Sequence, residues 1–338
     1  ASQIAIARPP SCFVRCVGLV MQKYIARRLL LTIPTLIGVT VIIFVVMRVI
    51  PGDPVSVVFG MEGFSSITPE IRAKLMDDLG LADPVVIQYL NWMKDIGTGK
   101  LGEAMLRGDK ISTMVLRRGP ITAEIALLAT LISWIVGLPV GVVSALRPNS
   151  KTDLVARFLS ILFLAIPAFW LALVVVVALI DWFGYKSPII PVQIWENPWE
   201  NFQMVIGPAI IVGLGISAFI ARMSRSTLLE VIREDYVRTA RAKGLSEQLV
   251  LVRHSLANAL LPVLTLSGVL LGALFGGVVA VERSFGVPGL GVTMVDAAVS
   301  RDIPVVQNLV LVSTVMFLVV NLLVDLSYAW LDPRIRYE

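Results

Sequence analysis

The sequence predicts an all-α membrane protein with six transmembrane helices, and three observations carry that reading. The chain of 338 residues is 57% hydrophobic and only 16% charged, where soluble domains carry about 25% charge. Six stretches lack Asp, Glu, Lys and Arg altogether: Leu29 to Met47, Ile125 to Leu146, Phe158 to Ile180, Asn201 to Ala221, His254 to Val281 and Ile303 to Val324. At 19, 22, 23, 21, 28 and 22 residues, each can cross a hydrocarbon core of about 30 Å at about 1.5 Å per residue. The charges between them are also asymmetric. With both termini cytoplasmic, 17 Lys and Arg stand against 8 Asp and Glu inside, and 12 against 16 outside, the bias expected when cytoplasmic loops retain cations. The net charge of +5 therefore calls for no nucleic-acid partner.

The first Met is Met21, and Met21 to Arg28 reads as a cytoplasmic lead into the first span over residues 21–50, which sets residues 1–20 apart as an extension outside the fold. The apolar stretch after Arg28 exceeds a signal-peptide core and is expected to be an anchor. Cys12 and Cys16 have neither redox nor complete zinc-site spacing. Two prolines around Gly52-Asp53 end the first span and open an extracytoplasmic segment, 51–118. There Thr68-Pro69-Glu70 starts a helix with Ile71, Leu75 and Leu79 as its apolar stripe. Gly80 and Asp83-Pro84 end it, and Val85 to Met93 restarts, with Tyr89 and Trp92 placed for the headgroup layer. The segment reads as a helical cap, with a loosely ordered loop as the other option. The rest of the core spans 119–335 and includes a cytoplasmic loop, 222–253.

Within the spans, Gly268, Gly272 and Gly276 recur every four residues, the spacing that lets a second helix approach closely in lipid. Thr314, Asn321 and Asp325 share one face of the last span. Polar groups there either bind helices together or line an aqueous path, and both readings stay open.

Several chemistries are excluded. A single histidine, His254, cannot form a multi-histidine metal site. Gly97-Thr-Gly-Lys100 lacks the first glycine and the hydroxyl residue of a phosphate-binding loop, and Gly213-Leu-Gly215 lies inside an apolar span rather than after a strand. Gly215-Ile-Ser217-Ala218 superficially matches an intramembrane serine protease, but the second glycine is missing and His254 follows the basic loop. A non-catalytic conduit is the simplest remaining class. An ion-gradient transporter is the alternative, although the spans hold almost no mid-bilayer ionisable groups.

The loop at 222–253 is the most informative segment. Glu234 to Leu245 begins acidic, continues with helix formers and ends on basic residues and Gly244, the charge order of a short helix. Such a helix needs a surface to pack on. Its small face, Ala240, Ala242 and Gly244, flanked by Arg238, Arg241 and Lys243, suits a groove on a soluble partner. A basic loop that only fixes topology is the other reading.

At this loop the sequence resembles the permease subunits of bacterial ATP-binding-cassette importers, of the dipeptide/oligopeptide and nickel type. Tyr236-Val-Arg-Thr-Ala-Arg-Ala-Lys-Gly-Leu245 followed by Arg253-His-Ser-Leu-Ala-Asn-Ala-Leu-Leu-Pro262 is similar to that family's version of the Glu-Ala-Ala loop, although only Ala240, Gly244 and Leu256 match the general signature. Further similarity lies in Tyr24-Ile-Ala-Arg-Arg-Leu29, Pro51-Gly-Asp-Pro54, Glu282-x-x-Phe285-x-x-Pro288-Gly-Leu-Gly291 and Asp325-x-x-Tyr328-x-x-Leu331-Asp-Pro-Arg334. Gly99-Lys100-Leu101-Gly102 departs from it, since the family usually has an acid before the leucine. The resemblance implies a MetI-like type I importer fold in the bacterial cytoplasmic membrane, a second homologous permease, two cytoplasmic ATPases that hold ATP and Mg, and an extracytoplasmic substrate-binding protein. It assigns ATPase coupling to Tyr236, Arg238, Thr239, Ala240, Arg241, Ala242, Lys243, Gly244 and Leu245. It places a possible outer gate at Phe285, Gly286, Pro288, Gly289 and Gly291, with hinge freedom at the glycines, and implies no cofactor on this chain.

Overall fold

The computed structural model describes residues 10–49, 68, 70, 82–105, 107–186 and 190–331, with side chains between residues 30 and 324. Pro51 to Pro54, Ile71 to Leu79 and Asp332 to Arg334 therefore lie outside the described residues, as does the Asp325 side chain. Among the described residues, regular structure is helical apart from one antiparallel bridge between Glu103 and Lys110.

The first helix, α1 (Pro10–Val49), already includes residues 10–20, which the sequence had set apart. Helix α2 (Val85–Gly97) lies against the far end of α1. Helix α3 (Ile111–Leu146) starts well before the charge-free stretch that announces it. Then come α4 (Lys151–Ala165), α5 (Ala168–Phe183), α6 (Pro198–Val231) and α7 (Asp235–Ala242). A π-helical segment, Val250–Leu256, leads into α8 (Ala257–Gly277), followed by α9 (Val279–Phe285), α10 (Leu290–Val299) and α11 (Ile303–Leu331). Among the described residues, five helices are long and apolar enough to cross a membrane, and the bent pair α4 and α5 makes a sixth if it counts as one span.

That pair corrects the expectation of an unbroken third span over Phe158 to Ile180. The chain bends by 91° between α4 and α5, at Ile166-Pro167. Proline has no amide to continue the ladder and pushes its predecessor out of the helical region, and Ile166 is extended at φ −81°, ψ 121°.

The centre of the molecule is the pairing of α3 with α6, the most extensive helix contact in the chain. Glycines set its closeness. A Cβ on Gly137 would lie 2.5 Å from the Ser217 carbonyl oxygen, one on Gly141 2.5 Å from that of Ala221, and one on Gly213 2.9 Å from that of Ala129. The main apolar cluster forms around this seam, with Ile121, Ile125 and Ala129 of α3 against Val212, Ile216 and Ile220 of α6, closed by Val176 of α5, Val263 of α8 and Phe285 of α9. Elsewhere, exposed Leu, Ile and Val on α1, α3, α4 and α5 give the outer faces a lipid-compatible surface.

A second seam joins α8 to α11. A Cβ on Gly268 would meet Val324 at 2.5 Å and one on Gly272 would meet Phe317 at 2.7 Å. Gly276 is off this seam, because a Cβ there meets nothing within 4 Å. Tyr89 and Trp92 also depart from expectation, turning onto protein rather than headgroups. Tyr89 and Thr40 share a hydrogen bond of 2.9 Å, Trp92 donates to Asn308 at 3.2 Å, and both rings pack on Phe44. The Arg48 guanidinium covers Phe44 and donates to Gln88 at 2.7 Å.

The α3–α6 seam makes a direct prediction. Gly137→Val or Gly141→Val meets backbone that cannot yield and is expected to cost about 1–3 kcal/mol, the range of core overpacking. A lowered thermal midpoint of the solubilised protein would register it, with Gly276→Ala unchanged as the control.

Candidate functional site

The segment singled out by sequence is built on a pedestal of its own chain. Helix α6 ends at Val231, and Glu234, extended at φ −65°, ψ 147°, starts α7. Val237 and Ala240 face inward, buried with Val250 and packed on by Val231 and Leu245. The small face drawn for a partner is thus corrected: Ala240 is spent on internal packing, while Ala242 and Gly244 are exposed. Tyr236, Arg238, Thr239, Arg241 and Lys243 are exposed too. Gly244 sits at φ +79° with open space around its Cα, so its backbone conformation rather than crowding calls for glycine. Its amide donates to the Arg241 carbonyl at 2.9 Å and that of Leu245 to Ala240 at 3.4 Å, closing the helix end.

Helix α7 is tied to the base of α8 by Tyr236. Its hydroxyl donates to the His254 carbonyl at 3.2 Å and accepts from the Asn258 amide at 2.8 Å. The His254 carbonyl lies in the π-helical segment and also accepts from the Asn258 amide at 3.2 Å. Arg241 pairs with Glu247 at 2.9 Å and Arg238 with Asp235 at 3.5 Å. Both pairs are solvent-exposed, so they contribute little.

Close to the same end of the molecule lies a buried polar knot that the sequence reading missed. Asp153, fully buried on α4, accepts Nε of Arg225 at 2.8 Å and its Nη2 at 3.0 Å, together with the Ser144 hydroxyl and the Asn149 amide at 2.9 Å. Arg157 stands 3.4 Å away. One carboxylate thereby joins α3, the α3–α4 turn, α4 and α6. The legible signal was Ser150-x-x-Asp153, since Ser150 caps α4 by accepting the Asp153 amide at 3.2 Å.

At the opposite end, the turn from α9 to α10 is organised by Glu282 rather than by free glycines. Glu282 has no solvent exposure. Thr122 of α3 donates its hydroxyl to it at 2.6 Å, and the Val292 amide donates at 3.1 Å. The Leu290 amide in turn donates to Thr122 at 2.9 Å. Burial pushes the Glu282 carboxyl above its ordinary range, and the bonds from Thr122, Val292 and Gly291 oppose that shift. A Cβ on Gly289 would collide with the carboxylate, and one on Gly291 would come within 2.8 Å of it. Gly289, Gly291 and Pro288 are buried, and the two glycines make room for Glu282. Gly286, at φ +69°, caps α9. Phe285 is buried against Gly207 of α6, where a Cβ would approach its ring to 2.6 Å.

The polar face of the last helix divides. Thr314 donates to the Val310 carbonyl of its own helix at 2.9 Å. Asn321 lies at the α8 seam, its amide 3.6 Å from where a Gly272 Cβ would stand. Ser217 donates to the Leu214 carbonyl at 2.6 Å inside the α3–α6 seam. That is helix packing with no base beside it, not a nucleophile's setting. Among the described residues no group of three His, Cys, Asp or Glu is placed to hold a metal ion.

Residues 137–337 match the family described as binding-protein-dependent transport system inner membrane component, and residues 21–125 match its N-terminal region. The chain is 38% identical over 321 residues to the oligopeptide transport system permease protein AppB of Bacillus subtilis, covering 94% of this chain and all of that one. It is 37% identical over 337 residues to the dipeptide transport system permease protein DppB of Alkalihalophilus pseudofirmus, with the same coverage. In fold it is similar to the MetNI methionine ABC transporter in an inward-facing conformation, with a TM-score of 0.54 and 18% identity over 65% of this chain and 97% of that one.

The Asp153 knot can be tested by itself. Asp153→Ala removes the partner of a half-buried guanidinium and the acceptor of Ser144 and Asn149, and is expected to cost about 1–3 kcal/mol. Asp153→Asn should cost less, because its one amide oxygen still accepts the Asn149 amide, while the Ser144 hydroxyl, bonded to the other carboxylate oxygen, can turn to accept. Thermal midpoints of the two variants in detergent, compared with the parent, check that order.

Proposed function

The chain belongs to the family of binding-protein-dependent transport system inner membrane components, and from that premise we propose that its cargo is di- and oligopeptides. It is a multi-pass protein of the cytoplasmic membrane and a transport subunit, not an enzyme. The peptide reading rests on similarity along nearly the whole chain to relatives named as oligopeptide and dipeptide permeases.

Its partners in this reading are a second homologous permease that completes the path, an extracytoplasmic substrate-binding protein, and two cytoplasmic ATPases that carry ATP and Mg. Both termini and α7 then face the cytoplasm, in keeping with the Lys and Arg bias. Tyr236 to Leu245 is the element seated on an ATPase. The observation that carries this assignment is the two-sided construction of α7: Val237, Ala240 and the Tyr236 hydroxyl fix it to its own chain, and Arg238, Thr239, Arg241, Ala242, Lys243 and Gly244 face outward. A helix held on one side and free on the other transfers displacement, because moving it moves its pedestal. That pedestal includes the ends of α6 and the segment leading into α8. Transport then requires two pathway states, one favoured by nucleotide at α7 and the other by the loaded receptor at the Glu282 turn.

Gly244→Val tests this. A β-branched residue in the left-handed region is strained by about 1–2 kcal/mol, around tenfold in an equilibrium, and the strain falls on the closing turn of α7 alone. Expected is a chain that inserts normally, with ATP-driven peptide uptake by the reconstituted complex reduced about tenfold. Unchanged uptake together with unchanged ATPase copurification after removal of residues 236–245 would overturn the coupling role.

A further inference from the structure

On the side of the molecule opposite α7, the end of α5, Tyr185, Lys186, Ile190, Val192 and the first turns of α6 line a cavity of about 740 Å³. That is within the roughly 300–1,000 Å³ of sites that enclose small amphipathic ligands. Its depth is apolar, lined by Leu179, Val192, Met204, Ile206 and Phe285, and its charged lining residues are Lys186 and Glu200, both solvent-exposed. The same stretch of chain displays Trp182, Phe183, Trp195 and Trp199 at 78%, 76%, 68% and 65% exposure, and Trp199 stacks on Phe202 with centroids 6.1 Å apart. Exposed Trp at the ends of apolar helices marks the level of the lipid headgroups. The cavity thus opens where headgroup meets acyl chain.

We propose that this cavity binds one phospholipid with a zwitterionic, ethanolamine-type headgroup from the leaflet opposite α7. One cation and one anion at an apolar cavity complement such a lipid: the phosphate pairs with Lys186, the ammonium with Glu200, and an acyl chain fills the space beside Met204 and Phe285. An anionic headgroup without an amine would satisfy Lys186 and be repelled by Glu200. Phe285 links the site to the rest of the molecule, since its ring lines the cavity and belongs to the turn held by Glu282. A bound lipid stabilises that position of the turn by mass action. The proposal concerns a lipid and does not depend on which cargo the chain carries.

Native mass spectrometry of the full chain in mild detergent, titrated separately with phosphatidylethanolamine and phosphatidylglycerol, tests it. Expected is one phosphatidylethanolamine per chain retained in preference to phosphatidylglycerol. Lys186→Ala should weaken it about fivefold, the weight of one basic side chain at a lipid surface, and Glu200→Ala should erase the preference between the two lipids. Both sites are exposed, so the fold survives either change. Gln203→Trp, which narrows the cavity from an exposed lining position, should abolish retention, with a thermal midpoint near that of the parent showing that the chain is folded. Equal retention of both lipids by the parent, or retention unchanged in Gln203→Trp, overturns the proposal. Displacement of the lipid by an apolar dipeptide also overturns it, since the cavity would then be a cargo subsite.

Discussion

The close approach of α3 and α6 is the constraint on which the rest of the structure depends. In lipid no water is expelled when two apolar helices meet, so association rests on how near the backbones come. Gly137, Gly141 and Gly213 let each helix reach the carbonyls of the other. The polar knots stand at the two ends of this pair. Thr122 of α3 holds Glu282 at one end, and Ser144 of α3 with Arg225 of α6 holds Asp153 at the other. The seam sets the spacing of the two helices, and the knots fasten neighbouring elements to them. The turn between α9 and α10 and the base of α7 are thereby connected through one rigid pair.

Burying two carboxylates in such a molecule is costly unless each is fully bonded. Asp153 meets that condition with a guanidinium, a hydroxyl and a backbone amide, and Glu282 with a hydroxyl and amides from its own turn. The difference between them matters. Asp153 has a cation on another helix, so separating α4 from α6 would leave two unpaired charges. Glu282 is held by neutral donors, each worth less than an ion pair, and two of them, the Gly291 and Val292 amides, lie at the α10 end of the α9–α10 turn itself. A change in the α9–α10 turn is therefore less costly than a change at the Asp153 knot, which places the adaptable end of the molecule opposite α7.

Six apolar stretches were legible because the absence of charge is a property of composition, and α7 because its helix signals are local. The 91° break in the third span was written in Ile166-Pro167, but charge counting does not register a neutral proline. Gly137-x-x-x-Gly141 was as visible as Gly268-x-x-x-Gly272; which glycines face a neighbour depends on helix rotation, which apolar sequence on all sides of a helix does not specify. That is also why Gly276 falls off its seam. The inward turn of Tyr89 and Trp92 depends on Thr40, Phe44 and Asn308, and nothing near residues 85–97 in sequence announces those partners. The partner of Asp153 lies 72 residues away, so burial and pairing both had to come from the fold.

The two faces of α7 follow from the same reasoning. A short helix with three basic residues in it or at its end, Arg238, Arg241 and Lys243, gains little from the bilayer core and must find its support in packing. Val237 and Ala240 supply the apolar contact, and Tyr236 adds a directional bond to the His254 carbonyl. The same carbonyl accepts from the Asn258 amide at 3.2 Å, and that amide also donates to the tyrosine hydroxyl at 2.8 Å, so Tyr236, His254 and Asn258 form one closed joint between α7 and the base of α8. The joint is directional where an apolar surface could slide, and α8 continues from it along the Gly268 and Gly272 seam against α11.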